Sequence, residues 1–192
     1  MTECQLIVMG ASSGGLAAYS TLLRNLPASF NIPIVLAQHL NSSAMLFPEL
    51  LQKTTKLNVK EAEDKESIQP GYIYTTPPGY HLLIEPTHAF SLSVDDVVHY
   101  ARPSIDILFE TAAAVYGQHL IGVLLTGANE DGAAGLKMIQ DMGGIVMVQD
   151  PATAVSSVMP LAGLTLTHTP HVYSLETLSQ HIMDHVLFGR DQ

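Results

Sequence analysis

Leu6-Ile7-Val8-Met9-Gly10-Ala11-Ser12-Ser13-Gly14-Gly15 is an apolar run that breaks into glycines around a serine just where a helical pattern begins. Gly10, Ser12 and Gly14 satisfy G-x-S-x-G, the spacing at which a sharp strand-to-helix turn lifts a serine hydroxyl above the end of a parallel sheet. The small neighbours matter because a strained turn leaves no room for side chains beside the serine. Similar glycines also build the phosphate-binding turn of a dinucleotide fold, where the backbone approaches the ligand at a helix N-terminus. The turn alone therefore leaves two chemistries open.

The rest of the chain repeats the same alternation of apolar runs and helical patterns, the signature of parallel strands joined by crossover helices. Strands are predicted over 6–9, 33–37, 72–75, 120–125 and 145–148, with a further short strand around Val59. Helices are predicted over 15–26, 44–53, 103–116, 132–142, 154–162 and 175–187, the third opened by Pro103, a residue suited to a first helical turn. Residues 81–84 and 90–94 alternate like an antiparallel hairpin. The expected fold class is α/β: a doubly wound, mostly parallel sheet flanked by helices, with a small antiparallel hairpin. Residues 1–192 are read as one domain, long enough to bury a sizeable core.

Composition excludes several functions. The formal net charge of −10 opposes nucleic-acid binding, which depends on neutralising phosphates with Lys and Arg, and it disfavours anionic membrane surfaces. No apolar run approaches the roughly 20 residues of a spanning helix, and no signal segment opens the chain, so direct membrane insertion is not expected and the expected location is cytoplasmic. The single cysteine, Cys4, permits no internal disulfide and reads as a small hydrophobe at the edge of the first strand. Lys53, Lys56, Lys60 and Lys65 are interleaved with acidic residues and read as a solvated charged face.

Ligands in open α/β sheets bind outside the carboxyl ends of the strands. Three predicted loops there carry a serine, a histidine and an aspartate: Gly10 to Gly15, Gln38 to Asn41, and Thr126 to Gly132. A serine hydroxyl becomes a good nucleophile when an imidazole accepts its proton, and a carboxylate fixes that imidazole's tautomer. Ser12, His39 and Asp131 supply these groups. Individually each has a duller reading: Ser12 and Asp131 as caps of the following helices, His39 as a strand-end histidine. Asp106 is a possible substitute acid, although its place in a first helical turn is also explained by the helix dipole. A short-chain dehydrogenase fails because no tyrosine has a lysine four residues on, and because the second strand ends in Gln38-His39 rather than in an acidic residue for a ribose hydroxyl. His181 and His185 have metal-ligand spacing without an apparent third ligand, so they read as part of an exposed helix and no metal is expected.

Ordered segments then narrow the reading. Gly10-Ala11-Ser12-Ser13-Gly14-Gly15, Gln38-His39, Glu61-Ala62-Glu63-Asp64, Pro70-Gly71-Tyr72-Ile73-Tyr74, Arg102-Pro103-Ser104-Ile105-Asp106-Ile107-Leu108-Phe109, Leu125-Thr126-Gly127, Asp131-Gly132-Ala133-Ala134-Gly135 and Met159-Pro160 resemble the motifs of the chemotaxis-receptor methylesterases, over nearly the whole chain. The resemblance implies a serine hydrolase acting on glutamyl methyl esters, and in some members on glutamines, of methyl-accepting receptor helices. It implies Ser12 as nucleophile, His39 as base and Asp131 as the orienting acid, with the backbone N–H groups of Ser13 and Ala128 as oxyanion donors and no cofactor. Arg102 is a candidate for guiding an acidic receptor helix, and Met159-Pro160 for shaping the pocket by packing. Two departures accompany the resemblance. The loop Gly127-Ala128-Asn129-Glu130-Asp131 lacks the methionine and second glycine common in the family, and the chain carries no phospho-receiver domain, which implies control by a separate regulatory partner or none. The alternative functions are a non-catalytic receptor-binding module and a hydrolase of another ester.

Overall fold

The computed structural model describes residues 3–39, 46–98 and 100–188. Its strands are β1 (Leu6–Ala11), β2 (Ile34–Gln38), β3 (Asn58–Glu61), β4 (Tyr72–Thr75), β5 (His81–Ile84), β6 (Phe90–Ser93), β7 (Leu120–Leu124), β8 (Ile145–Gln149) and β9 (Val172–Tyr173). Its α-helices are α1 (Gly15–Arg24), α2 (Phe47–Gln52), α3 (Ile105–Tyr116), α4 (Ala133–Asp141), α5 (Val158–Thr167) and α6 (Leu175–Phe188). Seven strands form one sheet in the order β3-β4-β2-β1-β7-β8-β9, and each neighbouring pair is parallel. β5 and β6 form the separate antiparallel hairpin.

The central strand explains why the sheet is covered on both faces. Leu6 and Val8 of β1 enter a core with Ile105, Leu108 and Phe109 of α3, whereas Ile7 and Met9 enter another with Tyr19, Leu22 and Leu23 of α1. A strand buried on both faces reads as a continuous apolar run, which is why β1 shows no polar alternation. Because β1 pairs with β2 on one side and β7 on the other, the chain winds outward in two directions from it. The residues directly following β1, β2 and β7 therefore lie near the topological switch point. Cys4 lies just before β1, and burial pushes its thiol up to about 12.

Several expected boundaries move, each for a local reason. Pro103 precedes α3 rather than opening it, because Ser104 is the N-cap and its hydroxyl accepts the Ile107 N–H. The expected start of α2 at Ala44 lies outside the described residues, and the described helix begins at Phe47. α5 starts at Val158, not Ala154, because the N–H and C=O of Ser156 are drawn to Thr126 Oγ1 and the Gly127 N–H. β9, two residues long, is too short to leave a periodic signal. α6 is not the exposed helix expected, since Leu178 and Ile182 are fully buried in the core that α1 also lines. On this helix His181 stacks on Tyr173 and His185 meets His171 edge to face.

α3 and α4 approach closely at Gly135. A Cβ there would stand 2.6 Å from Phe109 Cβ and 2.9 Å from the Asp106 carbonyl oxygen. Backbone on one side and a packed aromatic stem on the other cannot yield cheaply. Gly135→Ala is therefore expected to cost about 1–3 kcal/mol through overpacking. Urea unfolding checks this: the midpoint should fall with an unchanged slope, and an unaltered midpoint would show that the two helices can separate freely.

Candidate active site

Parallel register sets the first pair of site residues. Ala11 of β1 aligns with Gln38 of β2, so the next residue on each strand, Ser12 and His39, emerges side by side above the sheet. The main chain holds both ends: the Ser12 N–H donates to the Thr126 carbonyl at 2.9 Å, and the His39 N–H to the Ala11 carbonyl at 3.3 Å. Gly14 then turns the chain into α1 with φ 84°, a left-handed conformation that favours glycine, and a Cβ there would collide with Val155. Ser12 does not cap α1 through its side chain; the cap is Gly14, without a side-chain bond. The hydroxyl instead lies 3.2 Å from His39 Nδ1.

The other ring nitrogen of His39, Nε2, lies 2.7 Å from Asp131 Oδ2. The histidine thus bridges serine and carboxylate, with its nitrogens used the opposite way round from the serine-protease arrangement, in which Nε2 faces the serine. His39 keeps 14% of its side-chain exposure and Asp131 none, so the relay runs from a half-buried serine to a buried charge.

Asp131 does not cap α4, whose N-cap is Gly132. Its carboxylate faces the N-terminus of α3. Oδ2 accepts the Ile105 N–H at 2.7 Å, while Oδ1 accepts the Ser104 hydroxyl at 2.9 Å and the Asp106 N–H at 3.1 Å. The free N–H groups and positive end of a helix favour an anion in this place. Burial by itself would raise the Asp131 carboxyl; the His39 hydrogen bond, the Ile105 and Asp106 N–H groups and the imidazole charge together hold it below its ordinary value. Asp131 is therefore ionised near neutral pH. In the neutral imidazole that serves as a base, Nε2–H donates to this carboxylate and Nδ1 is the nitrogen placed to take the Ser12 proton.

Sequence reasoning missed the support beneath these three residues. His81, fully buried on β5, accepts the Ser104 N–H at Nδ1 (3.1 Å) and donates from Nε2 to the Asp96 carbonyl (3.0 Å), so the hairpin fixes the start of α3. Gln149 Oε1 accepts the Thr126 N–H, and Thr126 Oγ1 donates to the Ser13 carbonyl at 2.8 Å. Gln38 Nε2 donates to the carbonyls of Ser12 and His39. A serine directly after Arg102-Pro103 was the one available sign of a cap at the site. No sequence signal pairs Asp131 with that cap.

The remaining expected residues occupy varied places. The N–H groups of Ser13 and Ala128 donate to no acceptor among the described residues. Met159 is fully buried and packs on Gly127, where a Cβ would stand 2.5 Å from its terminal carbon. The Asp106 carboxylate accepts the Gly135 N–H at 2.7 Å. Arg102 donates from Nη1 to the carbonyls of Val94 and Asp95. Lys60 pairs with Glu63 and Glu66 at the surface, as expected for a mixed charged face. Among the described residues, no helix is long and apolar enough to cross a membrane.

An ionised carboxylate, an imidazole and a serine hydroxyl in series can carry out nucleophilic acyl transfer. Comparisons with known proteins agree with that chemistry. The sequence model described as CheB methylesterase matches residues 7–182. A provisionally named protein-glutamate methylesterase/protein-glutamine glutaminase of Leptospira interrogans is 48% identical over 177 residues, covering 92% of each chain. A protein-glutamate methylesterase/protein-glutamine glutaminase of Hahella chejuensis is 35% identical over 189 residues, 96% of this chain and 48% of that one. This chain thus spans nearly all of the first relative and about half of the second. The crystal structure of the Thermotoga maritima CheB methylesterase catalytic domain superposes with a TM-score of 0.90 at 30% identity, covering 95% of this chain and 98% of that one.

Proposed function

The chain belongs to the CheB methylesterase family, and from that premise we propose that it hydrolyses glutamyl methyl esters, and glutamine amides, on the cytoplasmic helices of methyl-accepting chemotaxis receptors. The observation that carries this reading is the continuous contact Ser12–His39–Asp131 at the carboxyl edge of the sheet.

Ser12 Oγ attacks the side-chain ester carbonyl as its proton passes to His39 Nδ1. The developing oxyanion is held by the Ser13 and Ala128 N–H groups, which have no acceptor of their own among the described residues. Asp131 stabilises the imidazolium through Nε2–H. Collapse breaks the bond to the methoxy oxygen, which leaves as methanol with the proton from Nδ1. Water then gives a proton to Nδ1 and attacks the acyl-serine, releasing the glutamate carboxyl group and returning the proton to Ser12. These steps need no cofactor. The exposed apolar side chain of Val155, set against Gly14, offers a surface for a helix bearing the ester. Arg102, two residues before Ser104, supplies positive charge to steer that acidic helix.

Methyl-labelled receptor membranes test the proposal. Released methanol, and ammonia from receptors carrying glutamine at the methylation sites, is the expected result. Hydrolysis of a small glutamyl methyl ester without any release from receptor membranes would overturn the receptor assignment and point to another ester.

A further inference from the structure

We infer that Gln38 is a positioning residue that sets the direction of the Ser13 N–H by locking the Ser12–Ser13 peptide plane; the inference rests on the reading of Ser12 as nucleophile. Gln38 is the last residue of β2, and its buried carboxamide lies beneath the strand-to-helix turn. From one nitrogen it donates to the Ser12 carbonyl at 2.9 Å and to the His39 carbonyl at 3.1 Å. One side chain thereby ties together the backbones of the two residues whose side chains exchange the proton.

A trans peptide points its C=O and N–H in opposite directions. Holding the Ser12 carbonyl toward Gln38 therefore turns the Ser13 N–H away from it. The next carbonyl, that of Ser13, is held by Thr126 Oγ1, so the N–H lies between two restrained carbonyls while itself donating to no acceptor among the described residues. The Gly15 N–H also donates to the Ser12 carbonyl at 2.9 Å, but it belongs to the same turn and moves with it. Gln38 anchors the turn to the neighbouring strand.

The other end of the carboxamide shows what this arrangement costs. Among the described residues, Oε1 is buried without a hydrogen-bond partner. It rests against Gly15, where a Cβ would come within 1.8 Å of it. An unmatched buried oxygen is destabilising, and an apolar side chain of the same length would avoid it. Retaining the amide is accounted for by what its nitrogen does for the turn, a local conflict of the kind expected at functional sites.

The test compares Gln38→Met with the unmutated chain on methyl-labelled receptor membranes. We expect kcat to fall about 10- to 100-fold, short of or equal to loss of a whole oxyanion donor, with KM and the melting temperature unchanged or the latter raised. A kcat within twofold of the unmutated value, or a loss that comes with a lower melting temperature, would overturn the inference. Should Gln38→Met not fold, Gly15→Ala reaches the same carboxamide from the other side. Its added methyl should lower kcat in the native background and lower it by a clearly smaller factor in a Gln38→Ala background, where the carboxamide is gone and only the approach to Ala11 Cβ at 2.9 Å remains; equal losses in both backgrounds would count against Gln38. Absence of Ser12-dependent turnover in the unmutated chain would instead remove the nucleophile reading and this inference with it.

Discussion

Ser12→Ala lowers methanol release by at least roughly 10⁴-fold while leaving the fold intact. The magnitude follows from losing the group that forms the covalent intermediate, because the remaining binding groups and oxyanion donors cannot replace a nucleophile. The structural cost is small for a separate reason. Among the described residues the hydroxyl makes one long contact, 3.2 Å to His39 Nδ1, whereas the main-chain bonds that shape the turn run through the Ser12 N–H and carbonyl and survive in alanine. The expected change in stability is within about 1 kcal/mol. Methanol release and a urea melt on the same preparation check both parts. Turnover retained by a folded Ser12→Ala protein would reject the nucleophile assignment.

Asp131→Asn acts on rate and on stability together. The native carboxylate accepts from four donors, two at each oxygen. An asparagine has only one oxygen. Placing that oxygen toward His39 and Ile105 directs the amide nitrogen at the Ser104 hydroxyl, which can rotate to accept, and at the Asp106 N–H, which cannot. The buried Asp106 N–H is left without its acceptor, at a cost of about 1–3 kcal/mol. The imidazolium formed during reaction also loses its counter-charge, so kcat should fall by roughly 10³- to 10⁴-fold.

The stability difference has a defined dependence on pH. The Asp131 carboxyl is held below its ordinary value in the folded protein, so its ionisation favours folding above the unfolded carboxylate range of about 3.9. That contribution is lost as pH falls through the lower folded value. Urea melts of native and Asp131→Asn protein should therefore differ most near neutral pH and converge in acid; a gap that widens in acid would contradict an ionised Asp131. A normal kcat in the variant would shift the acid's role elsewhere or leave a Ser–His dyad. Asp106 is poorly placed to substitute, since its carboxylate accepts from Gly135 in α4.

Much of this architecture was legible along the chain because its signals are local. The apolar runs of β1, β2, β7 and β8 had to be strands buried on both faces, and proline and glycine punctuation marked most turns. The elements that moved were those whose limits depend on distant partners. α5 begins late because Ser156 is engaged by the loop after β7, and β9 exists through its pairing with β8. One face of α6 is buried because Leu178 and Ile182 pack in the core that α1 also lines, a docking its histidines gave no sign of.

The site divides in the same way. G-x-S-x-G, Gln38-His39 and Asp131 specify by themselves which functional groups end three strands, since side-chain identity and turn chemistry are properties of short segments. Those segments also explain why Ser12 and His39 stand together once two parallel strands are in register. Only the packed sheet decided where the Asp131 carboxylate would go: to the N-terminus of α3, some 26 residues earlier in the chain, rather than to its own helix. It also turned His39 so that Nδ1 meets the serine, and placed the Gln38 amide under the turn. Hydrogen-bond partners in a buried site are settled by competition among donors gathered from several elements, and that competition exists only after those elements have docked.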